Sequence, residues 1–105
     1  MRWYRHLYTG RYASIHRASI IRGLRHGKDM PSVFVIARAV DSDGILEIYR
    51  SREFQREHYQ KKDPLVLGLA MSRTEAEEVV RQIIDDLYRW KGDFDIDAFC
   101  DTDHS

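Results

Sequence analysis

The chain predicts an α+β domain: a two-layer sandwich in which a small antiparallel sheet of three to four strands carries two helices on one face, in the order β-α-β-β-β-α. Three observations carry the prediction. Ser32 to Arg50 has the signature of a hairpin, Ser72-Arg73-Thr74-Glu75 fits a capping box ahead of a long apolar stripe, and a shorter helical stripe runs between Tyr12 and His26. Each amphipathic helix must bury its stripe, and a sheet face is the surface that receives it.

The opening Trp3-Tyr4-Arg5-His6-Leu7-Tyr8 is aromatic-rich and short, which favours a strand free to pair at a sheet edge, and Thr9-Gly10 breaks it. From Tyr12 to His26, helical spacing gathers Ala13, His16, Arg17, Ile20, Ile21 and Leu24 on one side and Arg11, Ser14, Ala18, Arg22 and Arg25 on the other. Gly23 weakens this helix, Gly27 stops it and Pro31 prevents its continuation. Two β-rich runs, Val33 to Val40 and Ile45 to Tyr49, flank Asp41-Ser42-Asp43-Gly44, a turn in which Gly44 is expected to supply a positive φ.

Ser51 to Asp63 is polar, with an irregular helical turn expected around Phe54 and Tyr59 and an end at Pro64. Leu65 to Ala70 reads as a buried strand in which Gly68 marks a bulge or a close backbone approach. A helix then starts at Arg73, buries Ala76, Val79, Val80, Ile83, Leu87 and Trp90, and turns Glu75, Glu78, Gln82, Asp85, Asp86 and Arg89 outward. Lys91 and Gly92 close it. The tail is expected to lay Phe94, Ile96 and Phe99 on the body and to fray over about 101 to 105.

With 105 residues, 43% hydrophobic and 32% charged, residues 1–105 suit a single ordered domain and lie far from the composition of disordered chains. The longest apolar run, Val33 to Val40, falls well short of the ~20 residues a bilayer span needs, so no membrane partner is expected. The start lacks the apolar stretch of a secretion signal and Cys100 is the sole cysteine, a pattern that fits a reducing, cytoplasmic location of the bacterial type. Formal net charge is zero, yet residues 1–62 hold 13 Lys/Arg against 6 Asp/Glu and residues 63–105 hold 4 against 11. Such a split either marks an anionic partner or is cancelled when folding brings the halves together.

No catalytic, cofactor-binding or metal-binding residue is assigned. Asp93, Asp95 and Asp97 open like a calcium loop, but Ala98 and His104 stand where its glycine and bidentate glutamate belong, which leaves an acidic outer edge. His6, His16, His26, His58 and His104 lack zinc-site spacing, and His16 is expected as a hydrogen-bonded core histidine. Cys100 stands near a loose terminus, away from the preorganised pocket that a nucleophile requires. Gly68 to Ser72 joins a strand to a helix start, where backbone amides hold phosphate in other proteins, but the lysine of a P-loop is missing and Glu75, Glu77 and Glu78 repel an anion. Candidate contacts with an anionic partner are Arg11, Arg22, Arg25 and Lys28 on the first helix, and Arg52, Arg56, Lys61 and Lys62 beside Arg50 in the loop, with Tyr8, Tyr12 and Tyr59 placed to stack on bases.

The order of helix, three strands and helix from Ala13 to Lys91 is similar to the double-stranded-RNA-binding domain. That family begins its last helix with lysines, and Thr74-Glu75-Ala76-Glu77-Glu78 stands here instead, so its function does not carry over. Tyr4-Arg5-His6-Leu7-Tyr8, Pro64 to Ala70, Glu75-Ala76 and Gly92 to Ile96 resemble a group of small uncharacterised proteins of Gram-positive anaerobic bacteria, which implies one cytosolic domain and no particular activity. The leading expectation is therefore a non-enzymatic binding or assembly module, with a homodimer as one form of it. Nucleic-acid binding through the basic helix face and loop is the first alternative, less favoured because net charge is zero, and a small enzyme with a pocket at residues 68–72 is the second.

Overall fold

Along Phe34–Arg38, Phe34 and Ile36 enter one hydrophobic cluster while Val35 and Ala37 enter another, so both faces of the sheet are covered. The structure, a computed structural model, describes residues 1–40, 43–92 and 94–101. Four strands, β1 (Arg2–Thr9), β2 (Phe34–Arg38), β3 (Leu46–Arg50) and β4 (Leu65–Ala70), form one sheet in the order β1-β4-β2-β3. The helices among the described residues are α1 (Arg17–Arg25), α2 (Ser51–Phe54), α3 (Glu57–Gln60), α4 (Arg73–Lys91) and α5 (Ile96–Asp101), and a 3₁₀ turn at Ala13–His16 precedes α1.

The two-layer antiparallel sandwich is corrected on three counts. The sheet is mixed, because β1 runs parallel to β4 while β2 pairs antiparallel with both β3 and β4. Helices lie on both faces: Ile20, Leu24 and Phe54 pack with Val35, Val66 and Leu69, whereas Ala76, Val79, Ile83, Ile96 and Phe99 pack with Tyr4, Ile36 and Leu67. More helices are present than the two expected, because the loop and the tail each coil. Apolar alternation shows which way a side chain points but not which way the neighbouring strand runs, and the near-continuous apolar runs of β2 and β4 are the mark of strands buried on both sides.

His16 and Arg17 are exposed instead of buried. Ala13, Ile20 and Leu24 are buried as expected and Gly23 joins them, while the tighter 3₁₀ turn over Ala13–His16 carries His16 off the buried side. The chain leaves α1 by a Schellman turn: Gly27 at φ 70° donates its N–H to Leu24 O at 3.2 Å, and Lys28 donates to Gly23 O at 2.9 Å.

The β2–β3 hairpin forms as expected, with Phe34 opposite Arg50 and Arg38 opposite Leu46. Asp41 and Ser42 lie outside the described residues. Gly44 is not among the positive-φ residues, which are Gly27, Gly92 and Asp63 among those described. Ala39 N–H reaches Ile45 O at 3.2 Å beyond the last paired residues of the hairpin. Gly68 meets its expectation, since the β2–β4 register shifts beside it and a Cβ there would sit 2.7 Å from Val79 Cγ1.

Helix α4 starts and stops where predicted. Ser72 Oγ accepts the Glu75 N–H at 3.0 Å, and Gly92 at φ 76° caps the other end. The tail becomes α5, which buries Ile96 and Phe99, while Phe94 stays 49% exposed and packs on the Tyr88 ring at 5.7 Å. Residues 102–105, most of the expected frayed end, lie outside the described residues, as does Asp93. No helix among the described residues is long and apolar enough to cross a membrane.

Candidate anion-binding face

Residues 10–28 hold five Lys/Arg and two His and no Asp or Glu, and they build the 3₁₀ turn and α1 on one side of the sheet. Several carboxylates of the C-terminal part are engaged away from this stretch. Asp63 takes the Met1 ammonium at 2.8 Å and Arg2 at 3.2 Å, Asp97 takes Arg38 at 3.0 Å, and Asp86 accepts the Tyr8 hydroxyl at 2.5 Å. Glu78 lies 3.7 Å from Arg81, within α4 itself. Among the described residues none of these acids is ion-paired with Arg11, Arg22, Arg25 or Lys28, whereas Glu75 takes the Tyr12 and Ala13 amides of the same stretch.

The predicted contacts fall into distinct groups. Arg22 and Lys28 converge with Ser19, Gly23 and His26 on a hollow of about 280 Å³ beside the last turn of α1. Arg25 lies over the Trp3 ring at 5.7 Å, a cation–π contact that ties α1 to β1. Arg11 stands ahead of the 3₁₀ turn, next to Tyr12, which is 62% exposed, and lines a cavity with Glu75 and Glu78 of α4. In the loop, Arg52 pairs with Asp29 at 3.3 Å and Lys61 with Glu57 at 3.5 Å, while Arg56 and Lys62 are exposed. The two basic segments meet at the 28–30 turn, where Gln55 Nε2 donates to Lys28 O at 2.8 Å and Met30 N–H donates to Ser51 Oγ at 3.1 Å.

Of the three tyrosines placed to stack on bases, one is available. Tyr8 is tied to Asp86, Tyr59 packs edge-on against Tyr49 at 4.9 Å, and Tyr12 faces outward beside Ile15, which is 72% exposed. Ser19 and His26 were not assigned from the sequence as contacts. Their signal is the spacing 19, 22, 26, which puts three polar side chains on one helical face.

The strand-to-helix junction at residues 68–72 opens beside a cavity of about 320 Å³ whose walls include Gly10, Tyr12, Thr74, Glu75, Glu78 and Gln82. Its amides are already taken by a carboxylate of the chain. Glu75 Oε1 accepts N–H groups from Tyr12 at 2.7 Å and Ala13 at 3.0 Å, and Oε2 accepts from Met71 at 2.8 Å. Glu75 therefore turns inward, against the outward orientation its helical position predicts, and occupies the place where an external anion would have to sit.

Half-burial of the Tyr8 phenol, then its hydrogen bond to Asp86 and that carboxylate's charge, push its pKa far above the ordinary tyrosine value. Burial likewise pushes the Cys100 thiol up to about 11, with help from Asp97 and Asp101. Both groups are held in their neutral forms. No protein-family model, curated protein or solved structure matches the chain.

Proposed function

We propose that the protein is a non-enzymatic binding module of the bacterial cytoplasm that docks nucleic-acid phosphates on the layer formed by the 3₁₀ turn, α1 and the α2–α3 loop. One observation carries the reading: residues 10–28 hold five cations and no carboxylate, α1 covers the face of the sheet away from α4 and α5, and Arg11, Arg22, Lys28 and Arg56 are in no ion pair among the described residues. Phosphate contacts supply most of the affinity of such surfaces, and the exposed Tyr12 beside Arg11 adds a ring on which a base can stack.

Zero net charge does not oppose this, because a bound strand responds to the local potential of the face it meets and the screening length is only ~8 Å at physiological salt. The test is fluorescence anisotropy of labelled single-stranded and duplex oligonucleotides across a salt series. Binding should weaken with a log–log slope of about −3 to −4.5, as expected for four or five phosphate contacts. Arg11→Glu and Arg22→Glu should each weaken it further. No binding at low salt, or binding indifferent to salt, overturns the reading.

A further inference from the structure

We infer that the hollow bounded by Ser19, Arg22, His26 and Lys28 takes a phosphomonoester, namely the terminal phosphate of a nucleic-acid strand. This rests on the nucleic-acid reading above and adds a specificity that reading does not contain. Ser19, Arg22 and His26 stand on one face of α1 and its cap, and Lys28 is brought to them by the left-handed Gly27 and by its own N–H bond to Gly23 O at 2.9 Å. Among the described residues no carboxylate lines the hollow. None of the four side chains has a hydrogen bond or ion pair among the described residues, so each donor remains available.

The chemistry favours a chain end over an internal phosphate. A monoester presents three terminal oxygens and about −1.5 to −2 charge, where a diester presents two and −1. Arg22 and Lys28 bring two full positive charges, and Ser19 and His26 add donors, which suits the dianion. At about 280 Å³ the hollow has room for a phosphate group. The α1 C-terminus opposes an anion with about half a negative charge, which the two cations outweigh. Stabilisation of that helix end explains cations in its last turn, but it does not require Lys28, beyond the cap, to face the same hollow.

The test compares one oligonucleotide sequence carrying a 5′ phosphate, a 3′ phosphate or neither. At least one phosphorylated form should bind about five- to tenfold tighter than the unphosphorylated form, the effect of a few charge-assisted contacts at an exposed site. An Arg22→Ala/Lys28→Ala double variant should erase that preference, while Arg56→Ala should weaken all forms alike. Both residues of the double variant are exposed, and circular dichroism checks that it folds. In parallel, inorganic phosphate against chloride at equal ionic strength should shift the NMR amide signals of residues 19–28.

Equal affinity for all three oligonucleotides with phosphate-induced shifts assigns the hollow to a free phosphate ester and overturns the strand-end assignment. Equal affinity without such shifts overturns the phosphate site altogether while leaving the nucleic-acid reading in place. Shifts from phosphate with no oligonucleotide binding overturn the nucleic-acid reading, and the strand-end assignment with it.

Discussion

Glu75 and Tyr12, 63 positions apart, are joined by the Tyr12 amide donating to Glu75 Oε1 at 2.7 Å, and the same carboxylate collects the Ala13 and Met71 amides. One side chain thus ties the chain that follows β1 to the chain that follows β4, where these parallel strands end together. Gly10 makes room for it, since a Cβ there would lie 2.1 Å from Oε1. Glu75→Ala should cost about 1–3 kcal/mol by leaving amide donors unpaired. Gly10→Ala should cost a similar amount by displacing the carboxylate. The double variant should be little worse than Glu75→Ala alone, because the new methyl group then fills vacated space. Urea denaturation of the four proteins reads the coupling, and additive losses would refute it.

The capping box at Ser72 announced α4, and its Ser72–Glu75 bond forms; the Glu75 carboxylate, expected to reach back to the cap, takes the Met71, Tyr12 and Ala13 amides instead, backbone groups with no residue-type signature. Local chemistry was legible wherever the determinant is local: the Schellman glycine Gly27, the capping glycine Gly92, the hairpin strands and the bulge at Gly68. Strand direction was not, since β1 and β4 are brought together by a long excursion that covers the second sheet face. The basic contacts were legible as residues, but which of them meet acids was not, because charge totals carry no information on which face each carboxylate serves.

Tyr8 should lose its proton only when the protein unfolds. Its folded pKa lies above that of the unfolded chain, so its contribution to stability is complete below about pH 10 and is lost as pH rises beyond that point. Spectrophotometric alkaline titration should show a tyrosine step that coincides with loss of structure, and Tyr8→Phe should lower the amplitude of that step by one tyrosine. The substitution should also cost about 1–2 kcal/mol near neutrality by leaving Asp86 without its donor. A titration in which every tyrosine ionises near pH 10 before any unfolding would contradict this.

Arg38 and Asp97 hold α5 to β2 through two contacts, at 3.0 and 3.3 Å. The Arg38 hydrogen bond is the main cause that lowers the Asp97 pKa, with partial burial opposing it. Because Asp97 is 69% exposed, solvent screening limits the pair to about 0.5–1 kcal/mol. A lowered carboxyl pKa contributes stability above about pH 4 and loses it as pH falls through the folded value. Asp97→Asn should therefore lower the urea midpoint at pH 7 and leave it unchanged near pH 2, where both proteins carry a neutral side chain. Equal losses at both pH values would show that packing, not charge, holds the contact.

Cys100 should be chemically quiet while the protein is folded. With the thiol pushed up to about 11, roughly one molecule in a thousand is ionised at pH 8, against about a quarter for a free thiol near 8.5. The thiolate is the nucleophile, so iodoacetamide should label native protein more than about a hundredfold more slowly than urea-unfolded protein at that pH. Asp97→Asn and Asp101→Asn remove two negative charges that help to hold the proton and should raise the native rate, while burial keeps it well below the unfolded rate. Native labelling as fast as that of the unfolded chain would mean that the thiol sits in solvent, with α5 detached from the sheet.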